Sequence, residues 1–128
     1  MRIDVGLIDG WLRTVTVEGE LDAYTAKELQ DSVTEALAEE MAWILVDLRR
    51  TEYMDSVGLG ILIGGCKRAG ERNGDLAIAC DRSNLLRVFD VSGTTDMLNV
   101  NKTIEAAIEM LSTERAARSG CQHPEGGS

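Results

Sequence analysis

The spacing of apolar residues changes several times along this sequence, and these changes constrain the fold more than any other feature. Apolar and polar residues alternate on both sides of the turn dipeptide Asp9-Gly10, which predicts an opening β-hairpin. From Thr25 the spacing lengthens to four residues, as at Leu29 and Val33, and this predicts an amphipathic helix. The apolar run 42–47 then predicts a central strand.

The second half of the chain repeats this alternation of helix and strand patterns. Its predicted elements are a charged loop at 48–55, a helix that begins at Ser56, a strand at 75–80, a helix at 83–91 capped by Ser83, a strand at 97–100 and a helix at 103–117. Strands that alternate with helices favour parallel pairing through right-handed crossovers. We therefore predict one α/β domain over residues 1–118, with a mixed β-sheet of about five strands and four helices, followed by a flexible polar tail at 119–128.

Charge and hydropathy limit the partners of the chain. The formal net charge is −9, which disfavours nucleic acid and anionic lipid and favours a protein partner. The longest apolar stretch, 57–65, is too short to span a bilayer, and the first residues lack the layout of a signal peptide. We expect a cytoplasmic protein that is not bound to a membrane.

The three cysteines do not form a recognisable site. Cys66, Cys80 and Cys121 are an odd number at irregular spacing, without a CxxC pair, so neither a disulfide framework nor a zinc site is indicated. Buried, reduced thiols are expected at Cys66 and Cys80. We predict no metal and no cofactor.

Ser56 stands directly before an apolar helical pattern, where a serine hydroxyl serves as a helix N-cap. A helix N-terminus also favours anions, so a phosphate on Ser56 would be tolerated there. The added charge would lie beside Asp55 and close to Asp22. The residue can be a cap alone, or a cap that also carries a regulatory phosphate.

Enzymatic alternatives find little support in the sequence. A nucleophilic serine needs a base, but the sole histidine, His123, lies in the predicted tail, and Ser56 has no GxSxG motif around it. The glycines at 58, 60 and 64 follow the strand that ends near Val46 too distantly for a dinucleotide-binding turn. We expect them to permit a tight turn and close helix packing, and we do not expect an enzyme.

Three segments of the chain resemble the STAS domains of bacterial anti-sigma factor antagonists. They cover residues 2–112 in the order and spacing of that family. These segments are Gly19-Glu20-Leu21-Asp22, then Asp47-Leu48 with Met54-Asp55-Ser56-Val57-Gly58-Leu59-Gly60, and Phe89-Asp90-Val91-Ser92-Gly93. One departure is Thr94, where an apolar residue commonly follows the glycine.

The resemblance implies a function in partner switching, without catalysis by the chain itself. It implies that the unphosphorylated protein binds an anti-sigma factor, itself a serine kinase, and so frees a sigma factor. The kinase would then phosphorylate Ser56, and a PP2C-type phosphatase would restore it. The resemblance assigns the partner-binding surface to Asp22, Asp55, Ser56, Gly58, Leu59 and Gly60.

Two other functions stay open at this stage. One is a STAS-type module that binds a protein or a small ligand and is never phosphorylated. The other is a small enzyme or nucleotide binder that uses the glycine-rich turn.

Overall fold

Helices and strands follow one another in the order predicted from the sequence. The computed structural model describes residues 1–121. Its strands are β1 (Arg2–Ile8), β2 (Leu12–Leu21), β3 (Trp43–Met54), β4 (Asp75–Ala79) and β5 (Val100–Asn101). Its helices are α1 (Ala26–Ala38), α2 (Ser56–Glu71), α3 (Ser83–Ser92) and α4 (Ile104–Cys121). The predicted fold class, with five strands and four helices, is confirmed over the described residues.

The strands form one mixed sheet in the spatial order β1-β2-β3-β4-β5. β1 pairs antiparallel with β2 across a turn in which Asp9 and Gly10 both have positive φ, as tight hairpin turns require. The pairs β2–β3, β3–β4 and β4–β5 are parallel. The carboxyl ends of β2 and β3 therefore meet at one edge of the sheet, and α1 and α2 begin close to that edge.

Helices cover both faces of the sheet. Leu29 of α1, Leu62 of α2 and Phe89 of α3 pack in one buried cluster with the side chains of one sheet face. α4 covers the other face, where Ala107 and Leu111 pack in a second, smaller cluster. Both clusters are largely aliphatic, as the aromatic content of 4% predicts. Within residues 1–121, no helix combines the length and the apolarity needed to cross a bilayer.

The predicted loop at 48–55 is wrong, because β3 continues to Met54. Parallel pairing with β2 extends to the Leu21–Met54 pair, but the register shifts twice on the way. In the second half of β3 the buried residues are Leu48, Thr51 and Met54, three apart instead of two. The register shifts thus remove the alternation by which a strand is recognised in a sequence.

The elements after α3 also differ from their predicted bounds. Thr94, the departure from the family pattern, is buried, and its hydroxyl lies 2.9 Å from that of Ser92. The strand predicted at 97–100 is shorter and later, because Leu98 and Asn99 form a turn before β5. The last helix continues beyond the predicted end at residue 117 and includes Cys121. The remainder of the predicted tail, 122–128 with His123, lies outside the described residues.

Candidate functional site

Asp22, Asp55 and Ser56 lie together at the carboxyl edge of the sheet. Leu21 and Met54 are neighbours at the ends of β2 and β3, so the residues that follow them are also adjacent. The Asp55 backbone N–H donates to the Leu21 carbonyl oxygen at 3.2 Å, which links the two strand ends beyond the sheet. The structure thus brings together the three polar residues that the sequence singled out.

The N-cap of α2 is Asp55, and the predicted assignment of this role to Ser56 is wrong. Asp55 has extended backbone angles, and its Oδ1 accepts hydrogen bonds from the backbone N–H groups of Val57 and Gly58, both at 3.0 Å. Ser56 is the first helical residue, and the hydrogen bonds from the free N–H groups of Val57 and Gly58 go to Asp55 instead of to its hydroxyl. The predicted cap at Ser83 fails for the same reason, since α3 begins with that residue.

A second oxygen of Asp55 holds the loop between β2 and α1. Its Oδ2 accepts from the backbone N–H of Ala23 at 3.1 Å. Asp22 folds the same loop, because its Oδ1 accepts from the N–H groups of Tyr24 at 2.9 Å and Thr25 at 3.2 Å. Both carboxylates therefore act as acceptors for backbone groups and fix the shape of the edge around Ser56.

Ser56 itself is exposed, and its hydroxyl forms no hydrogen bond with the residues that the structure describes. Two surface cavities lie elsewhere, one of about 230 Å³ beside Arg68 and Arg72 and one of about 330 Å³ along α3. No group of potential metal ligands converges within residues 1–121. The geometry offers an accessible hydroxyl at an edge that is held by backbone hydrogen bonds to Asp22 and Asp55.

The glycines at 58, 60 and 64 in the first half of α2 have different surroundings. A Cβ on Gly58 would lie 2.7 Å from the Leu21 carbonyl oxygen, so this glycine lets the start of α2 approach the end of β2. Leu59, beside it, is buried in the core. Gly60 and Gly64 would meet nothing within 4 Å, and the predicted close packing is wrong for both of them. Gly60 instead lies exposed one turn beyond Ser56.

Sequence reasoning missed three exposed apolar side chains at this edge. Tyr24 is 95% exposed, Tyr53 is 50% exposed and Val57 is 44% exposed. The chain has only two tyrosines, and both lie near the carboxylates in sequence, Tyr24 two residues after Asp22 and Tyr53 two residues before Asp55. This placement was visible in the sequence and could have indicated a binding surface, because exposed aromatic residues favour protein contacts.

The two cysteines with described side chains lie away from this edge. Cys80 is fully buried and Cys66 is partly buried, both as free thiols. Burial raises the pKa of both thiols above its ordinary value, and the nearby Asp75 carboxylate adds to this effect at Cys66. Neither thiol contributes to the site at Ser56.

Comparison with known proteins places the chain in a family. The family model of the STAS domain matches residues 3–107. The anti-sigma-B factor antagonist of Bacillus subtilis is 32% identical over 95 residues, which cover 74% of this chain and 86% of that protein. The match to the family model spans the ends of β2 and β3 and the whole of α2.

Two solved structures have the same fold. An anti-sigma factor antagonist from Mycobacterium paratuberculosis superposes with a TM-score of 0.80 at 22% identity, covering 87% of this chain and 93% of that one. The phosphorylated form of SpoIIAA, a Bacillus cell fate determinant, superposes with a TM-score of 0.68 at 20% identity. This match covers 85% of this chain and 98% of that one. The chain belongs to the STAS domain family, among the anti-sigma factor antagonists.

Proposed function

We propose that this protein is an anti-sigma factor antagonist that is switched by phosphorylation of Ser56. In the unphosphorylated form it binds an anti-sigma factor that is also a serine kinase, and a sigma factor is thereby released. The kinase phosphorylates Ser56 and ends the interaction, and a PP2C-type phosphatase reverses the modification. The observation that carries this proposal is the exposed Ser56 hydroxyl at the first position of α2, beside a cap that Asp55 provides.

The charges around Ser56 give a physical reason for the switch. A phosphoryl group adds about −1.5 to −2 charges. It would lie beside the carboxylates of Asp22 and Asp55, on a chain whose net charge is already −9. A partner that closes over a neutral hydroxyl would have to desolvate this dianion, and a buried charge without a partner costs several kcal/mol. Since about 1.4 kcal/mol changes affinity tenfold, partial burial is enough to release the kinase.

The proposed partner-binding surface consists of Asp22, Asp55, Ser56, Gly58, Leu59 and Gly60. Their surroundings support different contributions. Gly58 and Leu59 are buried and position the start of α2. Gly60 is exposed and lacks a side chain, so a partner can approach the α2 backbone next to Ser56.

Phosphorylation tests the proposal directly. The purified protein is incubated with ATP and each kinase-type anti-sigma factor encoded in the same genome, and its intact mass is measured. We expect one phosphoryl group on the wild type and none on Ser56→Ala. Ser83→Ala is the matched control, because Ser83 is also exposed at the first position of a helix. No modification of the wild type by any kinase, or equal modification of Ser56→Ala, would refute the proposed site.

Binding of the same kinases tests the consequence of the modification. We expect Ser56→Asp to weaken binding and Ser56→Ala to preserve it. Tight binding that is unchanged in Ser56→Asp would instead support a STAS module that is not regulated by phosphorylation.

A further inference from the structure

We infer that Tyr24 is the main anchor of the partner interface, and that Asp55 holds it at a fixed place beside Ser56. This inference rests on the proposed function and adds to it a residue outside the matched switch segment. Tyr24 is 95% exposed, the highest value among the exposed large apolar side chains of the described residues. An aromatic ring left almost wholly in water has no role in holding this fold together.

The loop that carries Tyr24 is rigid in spite of its exposure. The Tyr24 N–H donates to Asp22 Oδ1 at 2.9 Å, and the neighbouring Ala23 N–H donates to Asp55 Oδ2 at 3.1 Å. The Thr25 hydroxyl donates to the Glu20 carbonyl oxygen at 2.7 Å and closes the loop from the other side. The backbone on both sides of Tyr24 is thus ordered before any partner binds, which reduces the entropy lost on binding.

Asp55 also fixes the distance between the anchor and the switch. One oxygen of its carboxylate binds the Val57 N–H at 3.0 Å while the other binds the Ala23 N–H at 3.1 Å. The residues next to Tyr24 and next to Ser56 therefore lie on opposite sides of a single carboxyl group. We expect one surface to take up the Tyr24 ring and to cover Ser56, so that a phosphate there would lie inside the same contact.

The surroundings of Tyr24 define the chemistry of the surface that receives it. Glu20 and Glu52 are exposed at the same edge, and Asp22 and Asp55 are partly exposed. We expect an apolar pocket for the ring on the anti-sigma factor, bordered by basic residues that complement these carboxylates. Tyrosine suits such a pocket because it buries a large area, loses little side-chain entropy and keeps a polar tip.

Affinity measurements on Tyr24 variants test the inference. Wild type is first titrated by calorimetry against the kinase-type anti-sigma factor that phosphorylates it. Tyr24→Ala should then weaken binding at least about tenfold, as loss of a central aromatic anchor does. Tyr24→Phe, which keeps the ring, should bind within about threefold of wild type, since the inference assigns the energy to the buried ring.

Leu7→Ala is the matched control for the loss of an exposed apolar side chain. Leu7 is 56% exposed and pairs with Arg13, eight residues before the end of β2, so it lies about 26 Å along the sheet from the site. It should bind like the wild type. The unfolding free energy of Tyr24→Ala should equal that of wild type, because a structural effect would lower it.

The outcomes separate the anchor from the proposed function. Tight binding by wild type and equally tight binding by Tyr24→Ala would overturn the anchor and leave the antagonist function intact. Equal weakening in Tyr24→Ala and Leu7→Ala would also overturn it. If wild type bound none of the kinases, the proposed function and the anchor would both be refuted.

Discussion

Replacing Asp55 or Ser56 by alanine distinguishes the residue that holds the site together from the residue that we propose is modified. Asp55 accepts three backbone hydrogen bonds, from Val57, Gly58 and Ala23. Loss of an N-cap costs about 1 kcal/mol, and loss of a hydrogen bond to a charged acceptor costs about 1.5 kcal/mol. We therefore expect Asp55→Ala to lower the free energy of unfolding by about 2–3 kcal/mol.

Ser56→Ala should change the free energy of unfolding by less than about 0.5 kcal/mol, because it removes an exposed group without a described hydrogen bond. The loss of unfolding free energy in Asp55→Asn should lie between the losses in Asp55→Ala and Ser56→Ala. Its amide oxygen can still cap α2, but its NH₂ group would face the Ala23 N–H and lose that bond. We expect this variant to lose about 1 kcal/mol.

Urea denaturation measures all three differences. Trp11 and Trp43 are the only tryptophans and lie at the amino ends of β2 and β3, far from the substitutions, so their fluorescence reports global unfolding. Circular dichroism should give the same midpoints if unfolding is two-state. A loss for Ser56→Ala as large as that for Asp55→Ala would refute the assignment of the cap. No loss for Asp55→Ala would refute the role of its carboxylate.

Two further predictions follow from local packing. Gly58→Ala should lower the free energy of unfolding by about 1–3 kcal/mol, because its Cβ would clash with the Leu21 carbonyl oxygen. Gly60→Ala should raise the free energy of unfolding by up to about 1 kcal/mol, because its Cβ would meet no neighbouring atom. Thermal unfolding measures both variants, and a Gly60→Ala variant less stable than Gly58→Ala would contradict this packing. In a Cys121→Ser background, Cys66 and Cys80 should react slowly with a thiol reagent at mildly alkaline pH until the protein is unfolded, because burial raises the pKa of both thiols and leaves little thiolate. Rapid labelling of Cys80 in the folded protein would contradict the second prediction.

The order of the elements was predictable because each apolar spacing is typical of one type of element, two residues for a strand and four for a helix. Alternation places Val15 and Val17 of β2 in the core, although Val5 and Leu7 of β1 stay exposed, and four-residue spacing buries one side of α1. The second half of β3 was not predictable in this way. Register shifts against β2 place the buried residues of that half three apart, and only the pairing partner shows that the segment is a strand.

The N-cap of α2 was predicted at the wrong residue for a different reason. Asp55 and Ser56 are adjacent, and both are favourable N-cap residues, so side-chain preference cannot choose between them. The choice is made by the backbone. Pairing of Leu21 with Met54, followed by the Asp55–Leu21 hydrogen bond, keeps Asp55 extended and lets the helix begin at Ser56. Tyr24 was missed because apolar spacing identifies residues that are buried, not those that are exposed.

The shift of the cap by one residue changes how phosphorylation can act. If Ser56 were the cap, its hydroxyl oxygen would be engaged with the helix N–H groups, and esterification would disturb the start of α2. Because Asp55 accepts those bonds, Ser56 can carry either a hydroxyl or a phosphate without loss of a hydrogen bond that holds the fold. In the proposed switch, Asp55 would therefore maintain the position of α2 and of the Tyr24 loop with or without the phosphate, and the added charge on Ser56 would release the partner.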